Sequence, residues 1–372
     1  MGRGAIVLTL AALLAMLPAA GCTAAPQPAP APQSHRSPAS PANPASPANP
    51  QSEQSPQAEQ SSQPGPSRQA GQSPSAPPPQ ARGRASGCSA ATPLKAGRHT
   101  MTHDGLRRTF LLAVPKGEGP HPVLLDLHGL GSDAAQESFY SRLTVEGPRR
   151  GYVVATPQAA DGRMGWTLPG TSGPLPGTSG PDDAAFLAAL LDRLESGLCV
   201  DRRRAFAAGM SYGAAMSAAL ICALDGRLAG VGAVGGLSVA RPCDRPLPTT
   251  LLAFHGTADR AVPYRGGHPF PDATGALRAL ADLVVLPPVE RAADDWARAL
   301  GCSGRATSRP ATGVRLRTWT SCPAGATVRL YTLDGGGHTW PGSVEVPRLG
   351  ATARNLDATA LILDAFDRAP AR

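Results

Sequence analysis

Between Thr23 and Gly87 the sequence contains no leucine, isoleucine, valine or phenylalanine. A stretch this poor in apolar side chains cannot bury a core, and its Pro, Ser, Ala and Gln, with repeats such as Ser-Pro-Ala-Asn-Pro, predict an extended, semi-rigid spacer. Neither a CxxC pair nor a His-rich spacing occurs, which argues against a structural metal site. The net charge of +8 is carried by arginines scattered along the chain rather than by a dense run, so a nucleic-acid partner is not predicted. The only long apolar run near the N-terminus, Ala5 to Leu17, is too short to span a bilayer.

That run follows Arg3 and leads into small residues ending at Cys22, the layout of a signal peptide. Leu17-Pro18-Ala19-Ala20-Gly21-Cys22 resembles a bacterial lipobox, with Ala19 where leucine is usual. We therefore expect lipidation of Cys22 and attachment to the outer face of a bacterial cell membrane, ordinary signal cleavage being the alternative. Setting Cys22 aside leaves six cysteines, an even number suited to an oxidising compartment. Nearness along the chain favours Cys302 with Cys322 and Cys222 with Cys243, leaving Cys88 for Cys199. The expected organisation is a leader over 1–22, a spacer over 23–87 and a single catalytic domain over 88–372.

From Cys88 onward, short apolar runs alternate with helical stretches, the pattern of an α/β fold with a mostly parallel central sheet flanked by helices. Asp104-Gly105 predicts a hairpin turn whose second strand is Arg108 to Val114. Further strands are expected at Pro122 to Leu127, Tyr152 to Thr156, Ala205 to Ala208, Gly230 to Val234, Thr250 to Phe254 and Val328 to Thr332. Helices are expected from Asp182 and Asp183, with Phe186, Leu187, Leu190, Leu191 and Leu194 on one face, and over Asn355 to Phe366. The heptapeptide Leu-Pro-Gly-Thr-Ser-Gly-Pro occurs at 168–174 and again at 175–181, and reads as a lengthened surface loop.

Gly209-Met210-Ser211-Tyr212-Gly213 lies between a strand and an Ala-rich helix, the context of a nucleophile elbow. A serine hydroxyl needs a base, and the base needs a carboxylate to hold its tautomer. Asp259 follows the strand Thr250 to Phe254, and His338 follows the strand ending near Thr332, giving the order Ser, acid, His. His255 reads as a buried structural histidine, and Asp334 sits too close to His338 in sequence to reach the far side of its ring. Oxyanion donors are expected from the backbone N–H groups of Tyr212 and of Leu130, the latter in His128-Gly129-Leu130-Gly131. Trp166 and Trp340 are candidate substrate-binding residues, with core packing as the alternative for each.

The segments LDLHGLGSD, DDAAFLAALLDRLESGLCVDRRRAFAAGMSYGAAM, LLAFHGTADRAVPYRGG and LDGGGHTWPGS resemble, in order, the polyhydroxybutyrate depolymerase and feruloyl esterase family. The resemblance runs from about Cys88 to the C-terminus and departs at Tyr212, where many members carry asparagine. It implies an α/β-hydrolase fold and extracellular hydrolysis of carboxylic esters through an acyl-enzyme on Ser211, without metal or organic cofactor. Hydroxyalkanoate oligomers and hydroxycinnamoyl esters are both implied as substrates, and soluble or oligomeric esters are favoured over solid polymer because no further binding domain is visible. The competing readings are a catalytically silent surface lipoprotein that uses the fold for binding, and a serine peptidase. The oligomeric state is not legible.

Overall fold

Asp104 and Gly105 both take positive φ, 47° and 72°, the requirement of the tightest hairpin turns. They join Gly97–His103 (β1) to Leu106–Ala113 (β2) in an antiparallel pair. The computed structural model describes residues 87–90, 92–169 and 180–372. The leader with Cys22, nearly all of the spacer and most of the duplicated loop lie outside the described residues.

After the hairpin come His121–Leu127 (β3), Ala134–Ser141 (α1), Leu143–Arg149 (α2), Val153–Pro157 (β4), Asp183–Gly197 (α3), Val200–Met210 (β5), Tyr212–Ala223 (α4) and Leu228–Val234 (β6). Thr250–Gly256 (β7), Gly275–Ala281 (α5), Val289–Ala299 (α6), Gly304–Ala311 (β8), Val314–Thr320 (β9), Val328–Leu333 (β10) and Ala358–Arg368 (α7) complete the domain. The ten strands among the described residues form one sheet in the order β1-β2-β4-β3-β5-β6-β7-β10-β9-β8. The central strands from β4 to β10 run parallel, and antiparallel pairs close both edges. This is the α/β-hydrolase fold as a mixed sheet, built by a single domain.

The central strands read as continuous apolar runs because helices cover both of their faces. Val123, Leu125 and Leu127 of β3 join Leu187, Leu190 and Met216 on one side, while Leu124 joins Leu143, Ile362 and Phe366 on the other. Each such burial contributes roughly 1.5–3 kcal/mol. The parallel centre was legible for that reason. The hairpin β8–β9 was not: six of the eight residues of β8 are exposed, so no alternation of apolar and polar positions marks it.

Asp182 caps α3 by accepting from the Ala185 N–H at 2.9 Å. Asp183 is the first residue of that helix, as expected, and its carboxylate is buried in an ion pair with Arg108 of β2 at 2.7 Å. The last helix starts later than expected, at Ala358, because Asp357 caps it through Ala360, and Leu356 therefore precedes it. Cys88 bonds Cys199, Cys222 bonds Cys243 and Cys302 bonds Cys322, the three pairs that the spacing suggests. Three disulfides suit an oxidising, extracellular setting.

Candidate active site

Strand β5 ends at Met210 and helix α4 begins at Tyr212, so the chain must reverse within one residue, Ser211. Ser211 takes φ 57° and ψ −120°, a conformation that costs a non-glycine residue about 1–3 kcal/mol and is kept where surrounding structure enforces it. The enforcement is visible. Ser211 N–H donates to Val234 O at 2.7 Å, and a side chain on Gly213 would bring its Cβ within 1.8 Å of Leu127 O. Glycine is needed there because α4 leaves the sheet in contact with the end of β3.

Asp259 lies just past β7 and His338 just past β10, and these two strands are neighbours. Their loops are tied together: Thr257 N–H donates to Leu333 O at 2.9 Å and Ala258 N–H to Gly336 O at 2.9 Å. His338 Nδ1 donates to Asp259 Oδ2 at 2.8 Å, and the pair is buried. The other oxygen, Oδ1, accepts the N–H groups of Ala261 and Val262 at 2.8 Å each. His255 Nε2 donates to Val262 O at 2.8 Å and lies 3.3 Å from Asp259 Oδ2, so the expected structural histidine also touches the acid. Burial alone would raise the Asp259 pKa, but the two histidines outweigh it and hold this carboxyl well below the usual carboxylate range.

The His338 ring packs against Gly235, whose added Cβ would meet it at 3.2 Å. Gly235 immediately follows Val234, the acceptor of the Ser211 N–H. The three residues therefore share the C-terminal edge of the parallel strands, where ligands bind in open α/β sheets. With Nδ1 committed to Asp259, the Nε2 lone pair of His338 is the one available for a hydroxyl proton.

The loop from His128 to Gly131 approaches the same edge. A Cβ on Gly129 would lie 3.2 Å from Ser211 Cβ. His128 Nδ1 donates to Gly129 O at 2.8 Å, and Nε2 accepts from Ala159 N–H at 3.1 Å. Burial lowers the His128 pKa, consistent with a neutral ring that braces the loop rather than reacting. Tyr212 N–H, at the first position of α4, is among the helix N–H groups that have no intrahelical acceptor.

Beside Ser211 lies a small apolar cavity of ≈ 60 Å³, walled by Leu130, Tyr212, Val239, Val262, Phe270 and Leu286 among others. A larger open groove of ≈ 870 Å³ shares Leu286 with it but is lined by none of Ser211, Asp259 or His338. Among the described residues no group of three His, Cys, Asp or Glu side chains could hold a metal ion.

No family model matches the chain. It is 28% identical over 235 residues to feruloyl esterase B of Piromyces equi, covering 60% of this chain and 40% of that protein. To the putative esterase NocK of Nocardia uniformis subsp. tsuyamanensis it is 29% identical over 265 residues, covering 68% and 75%. To feruloyl esterase C of Emericella nidulans it is 30% identical over 169 residues, covering 43% and 58%. The chain is similar to feruloyl esterases and to a putative esterase. Its match thus spans well under half of the Piromyces protein and three quarters of the Nocardia one. Among solved structures an acetyl xylan esterase from Aspergillus awamori superposes with a TM-score of 0.47 at 13% identity, covering 65% of this chain and 94% of that one.

Two expectations are corrected. Trp166 and Trp340 do not wall the cavity at Ser211. Trp166 is fully buried, donates its indole N–H to His128 O at 2.8 Å and packs on the His128 ring at 4.9 Å. Trp340 is 2% exposed and donates to Thr359 Oγ1 of α7 at 2.9 Å. A buried indole requires an acceptor, and each found one behind the site rather than in it. Sequence reasoning missed the walls Val239, Phe270 and Leu286, which lie outside the recognised segments, and Val262, which lies in the Asp259 segment but is an apolar residue with no chemical signal of its own. It also missed Asp126, although a lone carboxylate inside the apolar run of β3 was a readable signal.

Proposed function

We propose that this chain is an exported serine carboxylic ester hydrolase that works through an acyl-enzyme on Ser211. The observation that carries the reading is the buried 2.8 Å hydrogen bond from His338 Nδ1 to an ionised Asp259, at the sheet edge where the Ser211 elbow stands. Ser211 Oγ attacks the ester carbonyl carbon while His338 Nε2 takes its proton. Asp259 keeps the tautomer and stabilises the imidazolium that forms. The developing oxyanion is received by the N–H groups of Tyr212 and Leu130, and the positive end of α4 adds to them. His338 then protonates the leaving alcohol, and water repeats the sequence to release the acid.

The names of the relatives favour hydroxycinnamoyl esters over hydroxyalkanoate oligomers. The narrow apolar cavity suits a flat or short apolar group. Export through the N-terminal leader, anchoring through Cys22 and a spacer lifting the domain off the membrane complete the reading. The deciding experiment compares hydrolysis of methyl ferulate, p-nitrophenyl butyrate and 3-hydroxybutyrate oligomers by the wild-type protein and by Ser211→Ala. Activity on none of them by the wild type sinks the reading. Incorporation of a labelled fatty acid that persists in Cys22→Ser sinks the anchor alone.

A further inference from the structure

Trp166 stands behind the site, in a short segment that grips the His128–Gly131 loop on both sides of Leu130. The Trp166 indole N–H donates to His128 O at 2.8 Å, and its ring packs on the His128 ring at 4.9 Å. Two residues earlier, Met164 O accepts from the Gly131 N–H at 2.6 Å. These bonds bracket Leu130, so the backbone before and after its N–H is tied to one stretch of chain. Gly165, between the two contacts, lies against both residues assigned as oxyanion donors: a Cβ added there would stand 3.1 Å from Leu130 Cδ1 and 3.2 Å from Tyr212 Cδ1.

The segment is itself held from the far side. Thr167 N–H donates to Asp183 Oδ2 at 2.7 Å, and Asp183 Oδ1 accepts from Arg108 Nη2 at 2.7 Å. Arg108 and Asp183 are each 1% exposed. The Arg108 guanidinium lies 3.6 Å over the Phe186 ring of α3, and its Nη2 is 3.5 Å from Gln158 O. Gln158 in turn meets the His128 ring, with Nε2 3.3 Å from His128 Nε2. Taking an ion pair out of water costs free energy, and an apolar pair would join β2 to α3 without that cost. What an apolar pair would not supply is an acceptor for the Thr167 N–H.

We propose that Trp166 and Asp183 are positioning residues for the oxyanion site. Asp183 fixes Thr167, and the segment so fixed holds the His128–Gly131 loop through Trp166 and Met164, keeping the Leu130 N–H in place beside Ser211. The proposal rests on Ser211 being the nucleophile and on Leu130 and Tyr212 being the oxyanion donors. Neither Trp166 nor Asp183 lines the cavity at Ser211, so neither contributes to holding the ester there. Their effect falls on the transition state, because full negative charge on the carbonyl oxygen develops only there. A group displaced by about 1 Å costs about a hundredfold in rate.

The test uses the full chain and reads kcat and KM for p-nitrophenyl butyrate. Beside them it reads inhibition by phenylboronic acid, whose tetrahedral adduct on Ser211 places an oxygen in the oxyanion site. Trp166→Phe keeps an aromatic ring and removes the indole donor. A first double variant, Arg108→Met with Asp183→Leu, removes both charges together, so that no ion is left unpaired, and takes the acceptor from Thr167. A second, Arg108→Met with Asp183→Asn, also lacks the ion pair but keeps an acceptor oxygen. Trp166→Phe and the first double variant are expected to lose about a hundredfold in kcat, with KM moving by less than about twofold, and to bind phenylboronic acid at least about tenfold more weakly. The second double variant is expected to keep kcat within about threefold of the wild type. A merely structural role would lower the melting temperature of all three and leave kcat and inhibition where they were. Trp166→Phe with kcat within about threefold of the wild type overturns the proposal, as does a second double variant as slow as the first; should a double variant not fold, Trp166→Phe decides alone. If the wild type neither hydrolyses the ester nor binds phenylboronic acid, the nucleophile reading itself has failed, and the proposal with it.

Discussion

Two buried carboxyl settings flank the Ser211 elbow, and they have opposite protonation. Asp259 is enclosed, yet two histidines and two backbone N–H groups surround it, so it stays ionised. Asp126 and Glu137 are enclosed to the same degree and face only hydroxyls, one backbone contact and each other, so together they hold protons. Burial penalises the charge in both places, and the partners decide which form survives. In the proposed mechanism the first setting supplies a charge to the reaction. The second avoids one beneath it.

The largest expected effect comes from removing the groups that the first setting serves. Ser211→Ala and His338→Ala should each lower kcat by about 10⁶-fold, measured on p-nitrophenyl butyrate, because members of such a unit are not additive. Asp259→Asn keeps the shape and removes the charge, and should cost about 10⁴-fold. If it costs less than about tenfold, the Asp259 charge does not serve the base and the contrast between the two settings collapses.

Stability against pH separates the settings without any substrate. Asp259 has a folded pKa below its unfolded value, so its contribution is present above about pH 4 and is lost as pH falls. Asp126 and Glu137 have folded values above their unfolded ones, so their contribution is complete in acid and is lost as pH rises through about 7 for Asp126 and higher for Glu137. Thermal melts should therefore fall on both sides of an optimum. Glu137→Gln should reduce the alkaline loss to the part due to Asp126 and leave the acid side unchanged, and a variant that changes both sides would show that the two settings titrate together.

The smallest effect on this contrast belongs to the disulfides. Cys302→Ala with Cys322→Ala removes a bond closing a short loop and should cost about 3 kcal/mol. The shape of the pH profile should not move, since neither cysteine touches either carboxyl setting. A changed profile would mean that the β8–β9 edge reports to the site.

Much of this was readable residue by residue. The apolar runs of β3, β5, β6 and β7 announced strands because both of their faces are covered. The elbow announced itself because a one-residue reversal against β3 demands glycine at 213, and the acid and histidine followed strands in the expected order. The hairpin β8–β9 stayed hidden because water on most of its surface leaves no pattern. Trp166 and Trp340 were misplaced because an indole on a loop near the site can face the substrate or find an acceptor behind it, and nothing local distinguishes the two.

Motif, strand pattern and cysteine spacing belong to the sequence itself, since each depends on neighbours along the chain: which serine stands at the turn, which acid and histidine follow, which cysteines lie near enough to pair. The tertiary structure alone decided what lies across the sheet from what. It set Glu137 against Asp126, brought His255 to the same oxygen as His338, and walled the cavity with Phe270 and Leu286. Ionisation and cavity shape depend on such contacts in space, and residues far apart in sequence leave no periodic trace of meeting.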